Sequence, residues 1–306
     1  MLLALMLAVI VGCAGVTIRL RTPPTIPATA TTVATATATS TAIPPTSTPI
    51  PTATETATPT IIPTDAPAVA ISAVRVGQNP YSTTLQIVSA RGVTRSVEVN
   101  YLLYLPQDYG QDSSRQWPLI LFLHGSGQNG TNPESVAATG LPELLATRPD
   151  FPFVVVSPQS PPDQVWNSQL PVLIALLDQI QQQYAIDARR VYLTGLSMGG
   201  FGAWDLALNY PQRFAAVVPI AGGWISQSDA VPKNICKLKD VPIWVFHGAQ
   251  DDIVLPRQSQ SLVDALKKCG GNVQFTLYPD ANHKASWTNA YADPMLYEWM
   301  LNQVRP

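Results

Sequence analysis

A serine lies in a glycine-rich segment, residues 195–200, which reads Gly-Leu-Ser-Met-Gly-Gly. Residues 191–194 before it are apolar and typical of a buried strand, and residues 201–208 after it are typical of a helix. A G-x-S-x-G pattern at such a turn exposes the serine hydroxyl at the edge of a sheet, and its glycines leave room where strand and helix approach. The pattern predicts Ser197 as a nucleophile. The alternative interpretation is a glycine-rich turn with an incidental serine.

A general base must accompany this serine, because a serine hydroxyl is a weak nucleophile at neutral pH. The chain holds three histidines, His124, His247 and His283. Where the nucleophile lies in such a turn, the chain order is nucleophile, acid, histidine. Only His283 follows both the serine and a loop acid, so it is the predicted base. His247 is interpreted as a strand-end side chain that is hydrogen-bonded within its loop.

The predicted acid follows the apolar, strand-like residues 242–247, which open into Gly-Ala-Gln-Asp-Asp at 248–252. Loops at the carboxyl ends of parallel strands meet at one edge of a sheet, where an acid can reach the base. Asp251 is the predicted partner of His283, and Asp252 is the alternative. Two adjacent carboxylates cannot both face one imidazole, so the other aspartate is expected to stabilise a turn or cap a helix.

Two backbone amides are predicted to form an oxyanion hole. Met198 directly follows the serine and supplies one N–H group. The second is expected from residues 124–127, which read His-Gly-Ser-Gly after an apolar run, with Ser126 as the chosen donor. The alternative interpretation of these residues is a tight exit from a strand. His124 itself is interpreted as a scaffold residue, not as a proton carrier.

These motifs resemble those of the α/β-hydrolase esterases related to feruloyl esterases, polyhydroxybutyrate depolymerases and the phospholipase/carboxylesterase group. The matching landmarks are Tyr-Leu-Pro at 104–106, Leu-His-Gly-Ser-Gly at 123–127, Ser-Pro-Gln at 157–159, the segment 195–200, Phe-His-Gly-Ala-Gln-Asp at 246–251 and His-Lys-Ala-Ser-Trp at 283–287. The resemblance implies Ser197, Asp251 and His283 as a catalytic triad. It implies little about the natural ester.

Short apolar runs alternate with helical patterns along the chain, as is typical of α/β folds. The runs predict buried parallel strands at residues 119–123, 153–156, 191–194, 216–220, 243–246 and 273–277. Helices are predicted at residues 172–184, 200–209, 258–268 and 291–304. Residues 97–104 alternate in part and predict an antiparallel edge strand. The expected fold is the α/β-hydrolase fold, with a mostly parallel central sheet flanked by helices and no large cap domain.

Composition excludes several classes of function. The net charge is −2 and the isoelectric point is near 5.9, which offers no basic surface for a nucleic-acid partner. The sequence has no Cys/His cluster with zinc-ligand spacing, no glycine-rich dinucleotide fingerprint and no P-loop. We therefore expect neither a metal nor a cofactor.

The amino terminus predicts export. Residues 2–11 are apolar and of signal-peptide length, and residues 10–13 read Ile-Val-Gly-Cys, which resembles a bacterial lipobox. The resemblance implies a signal peptide over residues 1–12, cleavage before Cys13 and acylation of its thiol. However, no Lys or Arg precedes the apolar run, whereas Arg19 and Arg21 follow it, and this charge order favours the opposite orientation. A start codon assigned too late would also explain the missing charges.

Residues 13–70 are predicted to form a disordered linker. Most of this segment is Thr, Ala and Pro with few charges, so it cannot bury enough apolar surface to offset the entropy of ordering. Its composition favours an extracytoplasmic protein, either anchored to the membrane by lipid or secreted. Residues 71–306 are predicted as one catalytic domain, long enough for a single large core.

Two cysteines, Cys236 and Cys269, are predicted to lie at the same edge of the sheet. Cys236 precedes a predicted strand, and Cys269 follows the helix expected to run antiparallel to that strand. A disulfide is therefore possible and would fit an oxidising compartment. The alternative is two ordinary buried thiols.

Substrate-binding residues are predicted from position alone, because loops at the carboxyl ends of strands form the pocket. The candidates are Gln128, Trp166, Trp224, Gln250 and Trp287. Residues 222–240 are too few for a large cap, so we expect an open cleft edged by aromatic side chains, suited to aryl esters, acylated polysaccharide or polyester. The alternative is that some of these tryptophans belong to the core.

The combined pattern predicts a serine carboxylesterase that works through an acyl-enzyme. One alternative is a serine peptidase of the prolyl-oligopeptidase type, which uses a similar serine turn and normally carries a propeller domain. An alternative from a different class is a non-catalytic cell-surface binding module on a stalk. A complete set of triad residues counts against the binding module, because a retired hydrolase commonly loses one of them.

Overall fold

A computed structural model describes residues 75–88 and 92–306 of the chain. The predicted signal peptide (1–12), Cys13 and the predicted linker (13–70) lie outside these residues. The described residues build one eight-stranded sheet, whose strands in chain order are β1 (Gly77–Val88), β2 (Thr94–Leu105), β3 (Trp117–Leu123), β4 (Val154–Pro158), β5 (Ile186–Leu196), β6 (Ala216–Ile220), β7 (Ile243–Gly248) and β8 (Val273–Tyr278).

Six α-helices accompany the sheet in the described residues: α1 (Gly140–Leu145), α2 (Leu170–Gln183), α3 (Met198–Asn209), α4 (Pro256–Lys268), α5 (His283–Ala292) and α6 (Pro294–Leu301). The spatial order of the strands is β1-β2-β4-β3-β5-β6-β7-β8. The pairs β1–β2 and β2–β4 are antiparallel, and all other neighbours are parallel. The prediction of a mostly parallel sheet flanked by helices is confirmed.

Two apolar layers cover the two faces of the sheet. In β3, Leu119, Leu121 and Leu123 belong to one layer, while Ile120 and Phe122 belong to the other, as the two-residue period of a strand requires. Helices α2, α3 and α4 pack in the first layer, and α1, α5 and α6 pack in the second. Because both faces are covered, the central strands are continuous apolar runs. These runs made the central strands predictable from the sequence.

Two sequence predictions fail at the periphery. Residues 97–104 form part of an antiparallel strand as expected, but β2 is not an edge, because β1 pairs along its outer side. The predicted helix 291–304 is wrong in its bounds: residues 291–292 end α5, and α6 covers only Pro294–Leu301. Asp293 between them is extended (φ −77°, ψ 113°), and its side chain accepts a hydrogen bond from Met295 N. A residue before proline disfavours helical backbone, so the chain turns there.

The connection from β6 to β7 at the carboxyl edge of the sheet covers residues 221–242. Between β6 and β7 the only regular element in the described chain is a 3₁₀ turn, Ile235–Leu238. Within the part of the chain that the structure describes, no cap domain is inserted between β6 and β7. None of the helices within residues 75–88 and 92–306 combines the length and apolar character that a bilayer crossing requires.

Cys236 and Cys269 form a disulfide in the structure. Cys236 lies in the 3₁₀ turn before β7, and Cys269 directly follows α4, so the bond joins these two elements across a sequence separation of 33 residues. Closing a loop of this length restricts the unfolded chain and so stabilises the folded state.

Replacing both cysteines with alanine is expected to lower the free energy of unfolding by about 3–4 kcal/mol, from the loop-closure entropy of the unfolded chain. Urea denaturation measures this loss. Dithiothreitol should destabilise the wild type by a similar amount and leave the double variant unchanged. An equal response of both proteins to the reductant would contradict the prediction.

Candidate active site

Ser197 lies at the turn between β5 and α3, in backbone that strains a residue with a side chain. Its φ is 51° and its ψ is −117°, in the left-handed region that favours glycine. The backbone is held on both sides: Ser197 N donates to the Ile220 carbonyl of β6 (3.0 Å), and Phe201 N donates to the Ser197 carbonyl (3.1 Å). The strained turn therefore projects the hydroxyl from the carboxyl edge of the sheet.

The two glycines that flank the serine are required by close packing of backbone. A Cβ on Gly199 would lie 2.5 Å from the Leu123 carbonyl carbon, and a Cβ on Gly195 would lie 2.6 Å from the Gly199 carbonyl carbon. Neither position can accept a side chain without movement of the main chain. The physical reason for the glycines in the motif is thus visible as contact between β3, β5 and the first turn of α3.

His283 is the first residue of α5, and it lies between Ser197 and Asp251. Its Nε2 is 2.9 Å from Ser197 Oγ, and its Nδ1 is 2.7 Å from Asp251 Oδ2. A carboxylate can only accept, so Nδ1 carries the proton of the neutral ring and Nε2 is free to accept the serine hydroxyl proton. The structure therefore brings the three predicted triad residues into one hydrogen-bonded chain.

Asp251 is buried and uses both carboxylate oxygens. Oδ1 accepts from the amides of Ile253 (3.0 Å) and Val254 (2.9 Å), while Oδ2 faces His283. Burial raises the pKa of this carboxyl, but hydrogen bonds from His247, His283 and the Val254 amide outweigh burial and hold the pKa well below its ordinary value. Asp251 is therefore ionised throughout the neutral range and fixed by its own turn.

Asp252, the alternative acid, is exposed and makes no hydrogen bond or ion pair in the described structure. The expectation that the second aspartate stabilises a turn or caps a helix is therefore wrong, because Asp251 itself accepts from the turn amides. Replacing Asp251 with asparagine is expected to lower kcat about 10³- to 10⁴-fold, because the amide would favour the wrong tautomer of His283. Asp252→Asn is the matched control and should stay within about twofold of wild type in kcat. Steady-state hydrolysis of p-nitrophenyl butyrate measures both. Equal losses of kcat in the two variants would show that Asp251 is not the acid that orients His283.

The two predicted oxyanion donors share one structural feature. Met198 is the first residue of α3, and Ser126 is the first residue of a short 3₁₀ helix, Ser126–Gln128. The amide of a first helical residue has no acceptor within its helix. Both N–H groups are therefore available at the edge where Ser197 projects. A Cβ placed on Gly125 would lie 3.6 Å from Ser197 Cβ, so the 3₁₀ turn borders the serine directly.

His124 anchors the turn that presents Ser126. It is fully buried, its Nε2 accepts from Ser160 N (2.9 Å), and its Nδ1 donates to the Gly125 carbonyl (2.6 Å). Because Nε2 accepts, the ring must be neutral. Burial lowers the pKa of His124 from 6.5 to about 4. The scaffold role expected from the sequence therefore depends on a single tautomer.

The depressed pKa of His124 predicts a loss of stability in mild acid. Between pH 6.5 and about pH 4, His124 is protonated in the unfolded chain but neutral in the folded protein, which favours unfolding. The contribution of neutral His124 to the free energy of unfolding is therefore complete above pH 6.5 and is lost as the pH falls to about 4. The loss is on the order of 3 kcal/mol. His124→Gln, whose amide oxygen could still accept from Ser160 N, should show a shallower pH dependence of urea unfolding. Parallel curves for both proteins would contradict the assignment.

The predicted substrate-binding residues occupy different environments. The Trp287 ring packs edge-on against His283, with centroids 5.0 Å apart, and lines a cavity of about 400 Å³ between α1 and α5. The side-chain oxygen of Gln128 lies beside Gly125, next to the serine. Gln250 is exposed on the turn before Asp251, and Trp224 is half-buried against the core layer that contains α3. Of these residues, Trp287 contacts the triad through His283, and Gln128 lies beside the Gly125 turn that borders Ser197.

The prediction that Trp166 lines the pocket is wrong. Only 1% of its surface is exposed, its ring packs against His124 at 4.9 Å, and its Nε1 donates to the His124 carbonyl (2.9 Å). A Cβ on Gly202 of α3 would lie 2.5 Å from Trp166 Cβ, which shows how closely the helix covers it. Trp166 supports the oxyanion turn from within the core, as the alternative interpretation of the tryptophans allowed.

Sequence reasoning missed a contact of His247 with the triad. His247 is fully buried, and its Nε2 lies 3.1 Å from Asp251 Oδ2, the oxygen that also faces His283. The signal available in the sequence was a histidine four residues before the acid at the end of a strand. Within residues 75–88 and 92–306 no group of three His, Cys, Asp or Glu residues is arranged to hold a metal ion.

Comparisons with known proteins agree with this geometry. The phospholipase/carboxylesterase family matches residues 146–290, a segment that contains Ser197, Asp251 and His283. The bifunctional acetylxylan esterase/xylanase of Neocallimastix patriciarum is 28% identical over 221 residues, covering 68% of this chain and 28% of that protein. Dipeptidyl-peptidase 5 of Porphyromonas gingivalis is 24% identical over 223 residues, covering 58% of this chain and 32% of that protein.

The chain spans less than a third of the length of either relative. Among solved structures, the crystal structure of a thermostable esterase is similar with a TM-score of 0.59 and 30% sequence identity, covering 73% of this chain and 63% of that one. The sheet order, the strained serine turn and these similarities agree with one another. The chain has the α/β-hydrolase fold and is similar in sequence to the phospholipase/carboxylesterase family.

Proposed function

We propose that the protein is a serine carboxylesterase that hydrolyses carboxylic esters through an acyl-enzyme. The observation that carries this proposal is the continuous chain from Ser197 Oγ to His283 Nε2 (2.9 Å) and from His283 Nδ1 to Asp251 Oδ2 (2.7 Å). Nucleophile, base and orienting acid at these distances are the geometry of activated serine catalysis. Similarity to esterases supports the same reaction.

The acylation half of the proposed mechanism follows from the tautomer of His283. As Ser197 Oγ attacks the ester carbonyl, His283 Nε2 takes the hydroxyl proton, and ionised Asp251 stabilises the imidazolium through Nδ1. The carbonyl oxygen gains negative charge and accepts hydrogen bonds from the amides of Met198 and Ser126. His283 then gives its proton to the leaving alcohol as the C–O bond breaks, and the acyl group remains on Ser197.

Deacylation repeats these steps with water as the nucleophile. His283 Nε2 removes a proton from water, the hydroxide attacks the acyl carbonyl, and the same two amides hold the oxyanion. The proton returns to Ser197 Oγ, and the carboxylic acid is released. This sequence needs only residues of this chain and water.

The substrate class that we propose is an ester with a large group on at least one side, either aryl or attached to a polymer. The carboxyl edge of the sheet carries no large insertion between β6 and β7, and the Trp287 ring packs against His283 while it also lines the cavity between α1 and α5. An open site of this kind admits a polymer chain or a flat ring more readily than a closed pocket does. The similarity to an acetylxylan esterase supports the polysaccharide case.

A substrate panel tests the proposed function. Wild type and Ser197→Ala are compared on p-nitrophenyl acetate, p-nitrophenyl butyrate, methyl ferulate, acetylated xylan and polyhydroxybutyrate. Hydrolysis of the nitrophenyl esters by wild type alone is expected, with at least one of the larger substrates also cleaved. Equal hydrolysis rates for the two proteins on every ester would contradict the proposed esterase function.

A serine peptidase is the second candidate function, favoured by the similarity to a dipeptidyl-peptidase. Amide hydrolysis uses the same nucleophile, base and oxyanion donors but expels an amine. A proline-containing dipeptidyl p-nitroanilide distinguishes the two activities. We expect kcat/KM for this amide to lie well below that for p-nitrophenyl butyrate, and the reverse order would favour the peptidase.

We further propose that the protein acts outside the cytoplasm, held to a membrane by a lipid on Cys13 and spaced from it by the linker 13–70. The disulfide between Cys236 and Cys269 supports an oxidising compartment. Globomycin-sensitive processing of the precursor would support the lipid anchor. Full activity in the soluble cytosolic fraction of the native host would contradict it.

A further inference from the structure

His247 lies at the end of β7 with both ring nitrogens in hydrogen bonds and none of its surface exposed. On one side, Nε2 is 3.1 Å from Asp251 Oδ2 and 2.8 Å from the Val254 carbonyl oxygen. On the other side, Nδ1 is 2.8 Å from Ser259 Oγ, which is itself 2.7 Å from the Gly222 carbonyl. The proposed mechanism makes no use of this ring.

Counting protons fixes the donor that faces the acid. The Asp251 carboxylate and the Val254 carbonyl can only accept, so Nε2 must carry a proton for either contact to be attractive. Ser259 has one hydroxyl proton, which it gives either to Nδ1 of a neutral ring or to the Gly222 carbonyl, in which case Nδ1 is protonated too. In both arrangements His247 presents an Nε2–H group to Asp251.

The position of this donor matters because Asp251 Oδ2 also accepts from His283. Two imidazoles thus share one carboxylate oxygen, while the amides of Ile253 and Val254 hold the other. The turn amides hold Oδ1 and make no hydrogen bond to Oδ2, so the two imidazoles are the side chains that hold Oδ2. The Nε2–H group of His247 approaches from the core and fixes Oδ2 at the point where His283 Nδ1 needs it.

The same ring connects the acid turn to the serine turn. Ser259 Oγ lies 2.7 Å from the Gly222 carbonyl oxygen, and a Cβ on Gly222 would lie 2.6 Å from the carbonyl carbon of Gly200 in the first turn of α3. His247 therefore links Asp251, through Ser259 and the loop after β6, to the backbone that follows Ser197. Such a link restricts movement of the Asp251 turn relative to the Ser197 turn.

We propose that His247 is a positioning residue that acts through Asp251, holding the carboxylate in the orientation that His283 requires. This inference rests on the proposed function. A loss of this hydrogen bond to a charged acceptor is expected to lower kcat about 10- to 100-fold. Because His247 does not touch substrate, KM should change by less than about twofold.

Two amide substitutions separate the two faces of the ring. In His247→Gln the side-chain nitrogen can take the place of Nε2 and donate to Asp251, whereas in His247→Asn it reaches only the Nδ1 position beside Ser259. We expect kcat for p-nitrophenyl butyrate to stay within about threefold of wild type in the Gln variant. It should fall about 10- to 100-fold in His247→Asn and in His247→Leu. Thermal melting of all three variants reports whether they fold.

The pH profile of kcat/KM provides a readout that a purely structural role would not move. Without the His247 donor, more negative charge on Oδ2 is directed at His283 and favours its imidazolium form. The acid limb in His247→Leu should therefore shift to higher pH, by about half a unit or more. The His247→Gln variant should keep the wild-type limb.

A double-mutant cycle decides whether His247 acts through Asp251. In an Asp251→Asn background, His247→Leu should lower kcat by less than about twofold further. The same 10- to 100-fold loss in both backgrounds, or equal losses in His247→Gln and His247→Leu, would overturn the proposal. If the wild type shows no Ser197-dependent ester hydrolysis, the proposed function fails. NMR of ¹⁵N-labelled histidines then still tests the contact: a protonated Nε2 on His247 supports it, and an unprotonated one rejects it.

Discussion

Ser197→Ala is expected to lower kcat for p-nitrophenyl butyrate by at least about 10⁴-fold. The alanine removes the oxygen that lies 2.9 Å from His283 Nε2, so no acyl-enzyme can form. Binding should persist, because the oxyanion amides of Met198 and Ser126 belong to the backbone and remain. The residual rate would come from water activated by His283 in the intact pocket.

Stopped and continuous assays of purified protein measure this loss. Ser113→Ala, an exposed serine in the loop before β3, is the matched control and should keep the wild-type kcat. The substitution does not relieve backbone strain at this position, because alanine, like serine, carries a Cβ at φ 51°. A Ser197→Ala enzyme with more than a tenth of wild-type kcat would mean that another group is the nucleophile.

Gly199→Ala is expected to have the largest effect on folding of any single methyl addition in the serine turn. The added Cβ would overlap the Leu123 carbonyl, which belongs to the backbone of β3 and cannot rotate away. Either β3 or α3 must shift, and both are buried on the sheet. The expected loss in free energy of unfolding is at least about 3 kcal/mol, a fall of roughly 6–12 °C in Tm.

Differential scanning calorimetry of Gly199→Ala against Gly127→Ala tests this expectation. A Cβ on Gly127 has no neighbour within 4 Å, so that variant should melt within about 2 °C of wild type. Both residues flank the site and both changes add one methyl group. Similar melting temperatures for the two variants would contradict the close approach of strand and helix at the serine turn.

Much of the site could be predicted because its signals are local. Ser197 is marked by glycines whose need is steric, and the order of serine, aspartate and histidine along the chain selects His283 from three histidines. The central strands are continuous apolar runs because both of their faces are covered. Short sequence windows carry this kind of information directly.

Other features depend on contacts between distant residues, which no local window records. Trp166 and Trp287 have the same side chain and both follow strands, yet Trp166 is enclosed by His124 and α3, while Trp287 borders a cavity. The contact of His247 with Asp251 depends on how the turn after β7 folds back toward that strand. The outer strand β1 has alternating exposure and lies beside β2, so its apolar signal is weak.

The central claim is that Ser197, activated by His283, becomes covalently acylated. Labelling with diisopropyl fluorophosphate followed by peptide mass spectrometry tests it most directly, because the reagent traps an activated serine irrespective of the natural substrate. The account predicts one diisopropylphosphoryl group per chain, located on Ser197 and formed much more slowly in His283→Ala. A label on a different residue, or equal labelling rates in wild type and His283→Ala, would contradict it.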